Sequence, residues 1–129
     1  MTGGEAAELL GAGARAVALG TAFLGCPEAG TAAVQVHALT HRSGTTVTRA
    51  FTGRSARALV TTWTEVFGDR APAAYPQVHH LTAPLRAHGR ATGEAELVNL
   101  WAGTGHAALR PLPAAHLART LRAELTAAR

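Results

Sequence analysis

Apolar residues recur along most of the chain at helical spacing. In residues 4–13, Ala6, Leu9, Leu10 and Gly13 fall near i, i+3, i+4, i+7, which predicts a helix with Glu5 and Glu8 at its start and Gly11 and Gly13 at its end. Arg15-Ala-Val-Ala-Leu19 is short, apolar and without alternation, and it reads as a buried strand of the parallel type. Pro27 suits the start of a helix over about 27–40, with Glu28 in its first turn. Thr45 to Phe51 is β-branched and alternating, the clearest strand pattern present. Ala56, Leu59, Val60, Trp63, Val66 and Phe67 form a stripe that predicts a helix over about 55–67, capped by Ser55 or Thr52. After the Pro-rich link 70–76, a helix is predicted over about 78–91 with Pro84 inside it, a shorter one over 93–101, and a last one over 113–128 carrying Leu117, Leu121 and Leu125.

This order is odd for a free-standing domain. A parallel strand needs parallel neighbours and helices over both faces, and none is visible beside 15–19. The pattern resembles the tail of a larger α/β protein, mostly helical with about two short strands. It is what would follow the last strands of a (β/α) barrel, whose full length is about 250 residues. Two short, poorly paired strands at 15–19 and 45–51 are expected. An apolar patch at Val17, Leu19 and Phe23, where missing strands would pack, is expected too.

Composition changes the picture little. The 129 residues carry 12 basic and 8 acidic side chains, a net charge of +4, and every basic residue is Arg. These arginines are scattered, so the high isoelectric point does not mark a nucleic-acid stripe. Cys26 stands alone, which excludes an internal disulfide. No apolar run is long enough to span a membrane and no basic-then-apolar leader opens the chain, so a cytoplasmic protein is expected. His37 and His41 have i, i+4 spacing, but with Cys26 they make three ligands at most and no Glu lies between them, so no metal site is assigned. Trp63 and Trp101, on segments rich in Leu and Val, are read as core.

Four stretches carry a resemblance. They are Ala16–Leu24 (AVALGTAFL) with Pro27-Glu-Ala-Gly30, Thr48–Arg54 (TRAFTGR) with Ala56-Arg57, Tyr75–Arg86 (YPQVHHLTAPLR) and Asn99–Gly105 (NLWAGTG). In this order and at these separations they resemble the C-terminal part of bacterial nitronate monooxygenases, formerly 2-nitropropane dioxygenases, over essentially residues 1–129. The resemblance implies an FMN-dependent TIM-barrel flavoenzyme that oxidises alkyl nitronates with O₂ to a carbonyl compound and nitrite. It divides the chain into a last barrel helix–strand unit with phosphate loops, 1–26, and a helical C-terminal region, 27–129.

The resemblance places the flavin phosphate on backbone groups of Gly3 and Gly4, opening the first helix, and of Ala18, Leu19, Gly20 and Thr21. Barrel phosphate sites use such loops and a helix N-terminus, and glycine admits close approach. Many family members carry Gln where this chain has Ala18, so here that contact rests on backbone alone. Tyr75, His79 and His80 fall in a segment expected on the substrate side. The family's catalytic His and its preceding glycine pair lie outside these residues, so no catalytic residue is assigned. A chain of this kind is expected to be inactive alone and to associate with the missing barrel half or with itself. A related flavin barrel such as an enoyl-thioester reductase, or a non-catalytic stub binding a partner chain, is the alternative. Neither a nucleic acid nor a membrane is an expected partner.

Overall fold

The computed structural model describes residues 1–128, which form two compact units. One combines residues 1–31 with those from 108 on; the other is Ala32–Ala107.

In the first unit, α1 (Gly3–Gly11) packs against α5 (Ala114–Ala127). Helix α1 begins with a capping box: the Glu5 amide donates to Thr2 Oγ1 at 3.3 Å and the Thr2 amide to Glu5 Oε2 at 2.6 Å. Its buried face is small, Gly3, Ala6 and Ala7, which lets the two helix backbones come close. Leu117 of α5 is 1% exposed. Pro113 gives α5 no side-chain cap, and the Glu28 carboxylate accepts from the Ala114 amide instead, at 3.0 and 3.1 Å.

The strand expected at 15–19 does not form; that stretch is irregular and mostly exposed. A parallel strand gains its hydrogen bonds only from neighbours, and no strand of the described residues lies in this unit. At the expected apolar patch, Val17, Leu19 and Phe23 are half-buried, neither fully exposed nor fully buried. Residues 27–40 begin as a 3-10 turn, Pro27–Ala29, which ends at Gly30 in the left-handed region (φ 62°). The helix proper, α2, is Ala33–His41 in the second unit.

The second unit is built on an antiparallel pair, β1 (Thr45–Thr48) and β2 (Ala56–Leu59), with Thr45 opposite Leu59 and Thr48 opposite Ala56. The helix expected over 55–67 is therefore split. Its first part is β2, and only α3 (Thr62–Phe67) is helical, capped by Thr61 through a reciprocal box with Thr64. The helix expected over 93–101 is replaced by a 3-10 turn, Ala95–Leu97, and an extended stretch on the other edge of β2. There Leu59 N donates to Leu100 O at 2.9 Å, Ala102 N to Arg57 O at 3.1 Å, and Ala58 bridges Trp101. Propensity yields to pairing on both sides of β2. Helix α4 (Gln77–Thr92) runs through Pro84 without a break.

Phe51, Leu39, Leu59, Val98 and Leu100 are fully buried and form the core. Trp63 and Trp101 flank Phe51, each with its ring centroid 6.0 Å away, and the Trp63 indole donates to Ala50 O at 3.2 Å. Both tryptophans are half-buried core residues.

Candidate functional site

The residues assigned to phosphate fall in the first unit in two unlike settings. Gly3 is buried, and its amide donates to Glu124 Oε2 at 2.8 Å. A Cβ at Gly3 would lie 2.5 Å from that of Glu124 and 2.7 Å from the Leu125 nitrogen. Glycine here serves the α1–α5 contact, and the anion at this helix N-terminus is the chain's own carboxylate. Arg110 pairs with the same carboxylate through both of its oxygens. The Arg110 and Gly3 donors hold Glu124 below the usual carboxylate range, against a smaller opposing effect of burial. Gly4 is half-buried, with only Thr2 Oγ1 near the position of a Cβ, at 3.8 Å.

Gly20 is different. It is exposed, nothing lies within 4 Å of where its Cβ would be, and it opens a 3-10 turn, Thr21–Phe23, with no side-chain cap. Ala18 is exposed, while Leu19 and Thr21 are half-buried. As a test of fit to a flavin phosphate, the uncapped Gly20 turn offers the open approach that a phosphate needs. The Gly3 amide is already committed to Glu124.

The residues expected on the substrate side come together in the second unit. Tyr75 precedes the cis Tyr75–Pro76 bond and α4 begins at Gln77, so His79 and His80 sit in its first turn. The rings of Tyr75 and His79 are 6.2 Å apart, and those of His79 and His80 5.4 Å. Tyr75 and His80 are exposed and His79 is half-buried. Partial burial, the Arg86 charge and neighbouring His80 push the His79 pKa down. Arg86 is buried, and its guanidinium donates to the His79 carbonyl at 2.7 Å. Beside this cluster α3 and α4 enclose an apolar groove of about 470 Å³, lined by Trp63, Phe67, Val78, Leu81 and Leu85, with Arg70 its only charged lining residue.

Sequence reasoning did not single out two residues that organise these places. Arg86 was legible in principle: His79, Thr82 and Arg86 stand at i, i+3 and i+7, one helix face. Glu124 was not, because its partner Gly3 is 121 positions away. His37 and His41 stack on each other at 4.1 Å, and His41 Nδ1 lies 2.9 Å from the His37 carbonyl. Cys26 is buried, and burial, helped by the Glu28 charge, raises its thiol pKa. Among the described residues, no helix is long and apolar enough to cross a membrane.

The family model described as nitronate monooxygenase matches residues 1–124. The nitronate monooxygenase of Pseudomonas aeruginosa is 40% identical over 120 residues, covering 88% of this chain and 34% of that protein. The one from Paraburkholderia phytofirmans is 37% identical over 130 residues, covering 97% of this chain and 36% of that protein. The solved nitroalkane oxidase from Streptomyces ansochromogenes superposes on all of this chain with a TM-score of 0.96 and 50% identity, over 38% of its own length. The chain thus spans about a third of the length of the curated relatives it matches.

Proposed function

The chain belongs to the nitronate monooxygenase family, and from that premise we propose that it forms the C-terminal third of an FMN-dependent TIM-barrel enzyme that oxidises alkyl nitronates with O₂ to a carbonyl compound and nitrite. The observation that carries this reading is the superposition of the whole of this chain, at 50% identity, on part of a nitroalkane oxidase. An enoyl-thioester reductase is not favoured, since the family model and the curated relatives are nitronate monooxygenases.

In this reading the backbone of Ala18, Leu19, Gly20 and Thr21 holds the flavin phosphate at the uncapped turn. Gly3 and Gly4, opening α1, offer the second set of phosphate donors, and the Gly3 amide becomes available only when Glu124 gives it up. Bound FMN supplies electron acceptance, and O₂ is the oxidant. Tyr75, His79 and His80 line the substrate side and orient the nitronate. The base that a neutral nitroalkane would need is placed outside this chain by the resemblance, and a nitronate, already deprotonated, does not call on it. The neighbouring apolar groove, with Arg70 at hand, suits an alkyl chain attached to an anionic group.

The chain alone is expected to be inactive. Oxidation of a nitronate requires a flavin ring held rigidly beside the substrate, and here only part of the phosphate grip is present. Hydrogen bonds to a charged phosphate contribute about 1.5–3 kcal/mol each, against binding costs of several kcal/mol. FMN affinity of about millimolar or weaker follows. Titration of the purified chain into FMN, followed by flavin fluorescence, should show no saturation at micromolar concentrations, and nitrite should not form from propyl-2-nitronate. Micromolar binding or nitrite release would overturn the claim that residues outside this chain are required. Loss of FMN binding and nitrite release from a longer chain on Gly20→Pro tests the phosphate assignment; unchanged binding would remove it.

A further inference from the structure

Helix α4 buries a cation that has no counter-ion among the described residues. Arg86 is 6% exposed, and among the described residues no carboxylate forms an ion pair with it. Burying a charge is costly unless its hydrogen bonds are satisfied. Neutral acceptors do this here. Nε donates to Thr82 Oγ1 at 3.3 Å, and Nη2 donates to the His79 carbonyl at 2.7 Å and to His79 Nδ1 at 3.2 Å. Thr82 in turn donates to the Phe51 carbonyl at 2.5 Å, which ties the network to the core.

This geometry decides where the proton sits on His79. A guanidinium has donors and no acceptor, so the ring nitrogen facing it presents a lone pair. A neutral imidazole with a bare Nδ1 carries its proton on Nε2. The rings of Tyr75, from the segment before α4, and of His80 lie beside it, and Arg90 further along the helix acts on Arg86. Among the described residues no carboxylate pairs with His79, so no ion pair favours a charged imidazolium.

We propose that Arg86 is a positioning residue that fixes His79 as the neutral Nε2–H tautomer, so that His79 meets an anionic ligand as a hydrogen-bond donor and not as a base. The identity of that ligand, a nitronate, rests on the function proposed above; the tautomer does not. The assignment suits the chemistry. A nitronate has already lost its α-proton and carries its charge on two oxygens, which need donors.

The test is nitrogen-15 spectroscopy of the histidine rings in the full chain near neutral pH, without flavin or substrate. The expected result is a single His79 tautomer with a bare Nδ1 and a protonated Nε2. Arg86→Leu should give a mixture of tautomers and a higher His79 pKa, and Arg86→Lys, which keeps a donor and the charge, should restore much of the original spectrum. A protonated Nδ1 in the unaltered chain overturns the proposal, as does an unchanged His79 spectrum in folded Arg86→Leu. If that variant does not fold, the unaltered chain still decides. Adding propyl-2-nitronate should then shift the Nε2–H signal. An intact tautomer with no such shift counts against the nitronate reading, whereas a wrong tautomer counts against Arg86.

Discussion

Gly89 shows how a residue's surroundings reverse its ordinary preference. In an exposed helix, replacing Gly by Ala adds about 1 kcal/mol of stability. At Gly89 a Cβ would sit 2.9 Å from the Glu94 carbonyl oxygen and 2.9 Å from the Leu97 Cβ. Neither a backbone oxygen nor a Cβ can swing away, and overpacking of this kind costs about 1–3 kcal/mol. Gly89→Ala is therefore expected to lower stability by about 1–2 kcal/mol, read as a shift in the urea midpoint; a gain would mean that α4 and the 95–97 turn can separate at little cost. Glu124 offers a second test at this scale. Its folded-state pKa lies below the unfolded one, so its contribution is complete above the ordinary carboxylate range and is lost as pH falls through the lowered value. Glu124→Gln should cost about 1 kcal/mol at neutral pH. It should also flatten the acid limb of stability against pH. An acid limb of unchanged steepness would show that Glu124 is paired equally well in the unfolded chain.

Elements differ in how far local pattern determines them. Helices α1, α4 and α5 were legible because each carries an apolar stripe along one face, and β1 because Thr-Thr-Val-Thr is β-branched. Strand β2 was not. Ala-Arg-Ala-Leu has no β-branched residue, and its apolar positions run on into those of α3, so the two merge into one apparent helix. What makes it a strand is non-local, the ladder to β1 and the bonds to residues 100–102. The expected strand at 15–19 fails for the converse reason, since its local pattern has no partner to pair with. Among candidate site residues, the clustering of Tyr75, His79 and His80 was legible from adjacency. The commitment of Gly3 to Glu124 was not, because no local signal links them. The true start of α3 yields a prediction. Thr61→Ala removes the side-chain acceptor for the Thr64 amide and should cost about 1 kcal/mol, whereas Ser55→Ala, outside the helix, should cost less than half that. Equal effects in thermal unfolding would contradict the split of 55–67 into strand and helix.

At the scale of the whole molecule, the two units are threaded differently through the sequence. Ala32–Ala107 is one continuous stretch, and near its ends His106 Nδ1 lies 2.8 Å from the Leu39 carbonyl. The other unit has no such continuity: α1 is made from the first residues and α5 from the last. A ribosome releases the chain from its N-terminus, so α1 emerges long before the helix it packs on exists. Its small apolar face, Ala6 and Ala7, exposes little that could aggregate during that wait. The inner stretch can close as soon as His106 has cleared the exit tunnel, and closing the longer loop comes later and at a higher entropic cost. Pulse-labelling hydrogen exchange during refolding should find amides of β1 and β2 protected before those of α1. Simultaneous protection would mean that the stretch between the two terminal helices gains its order from them.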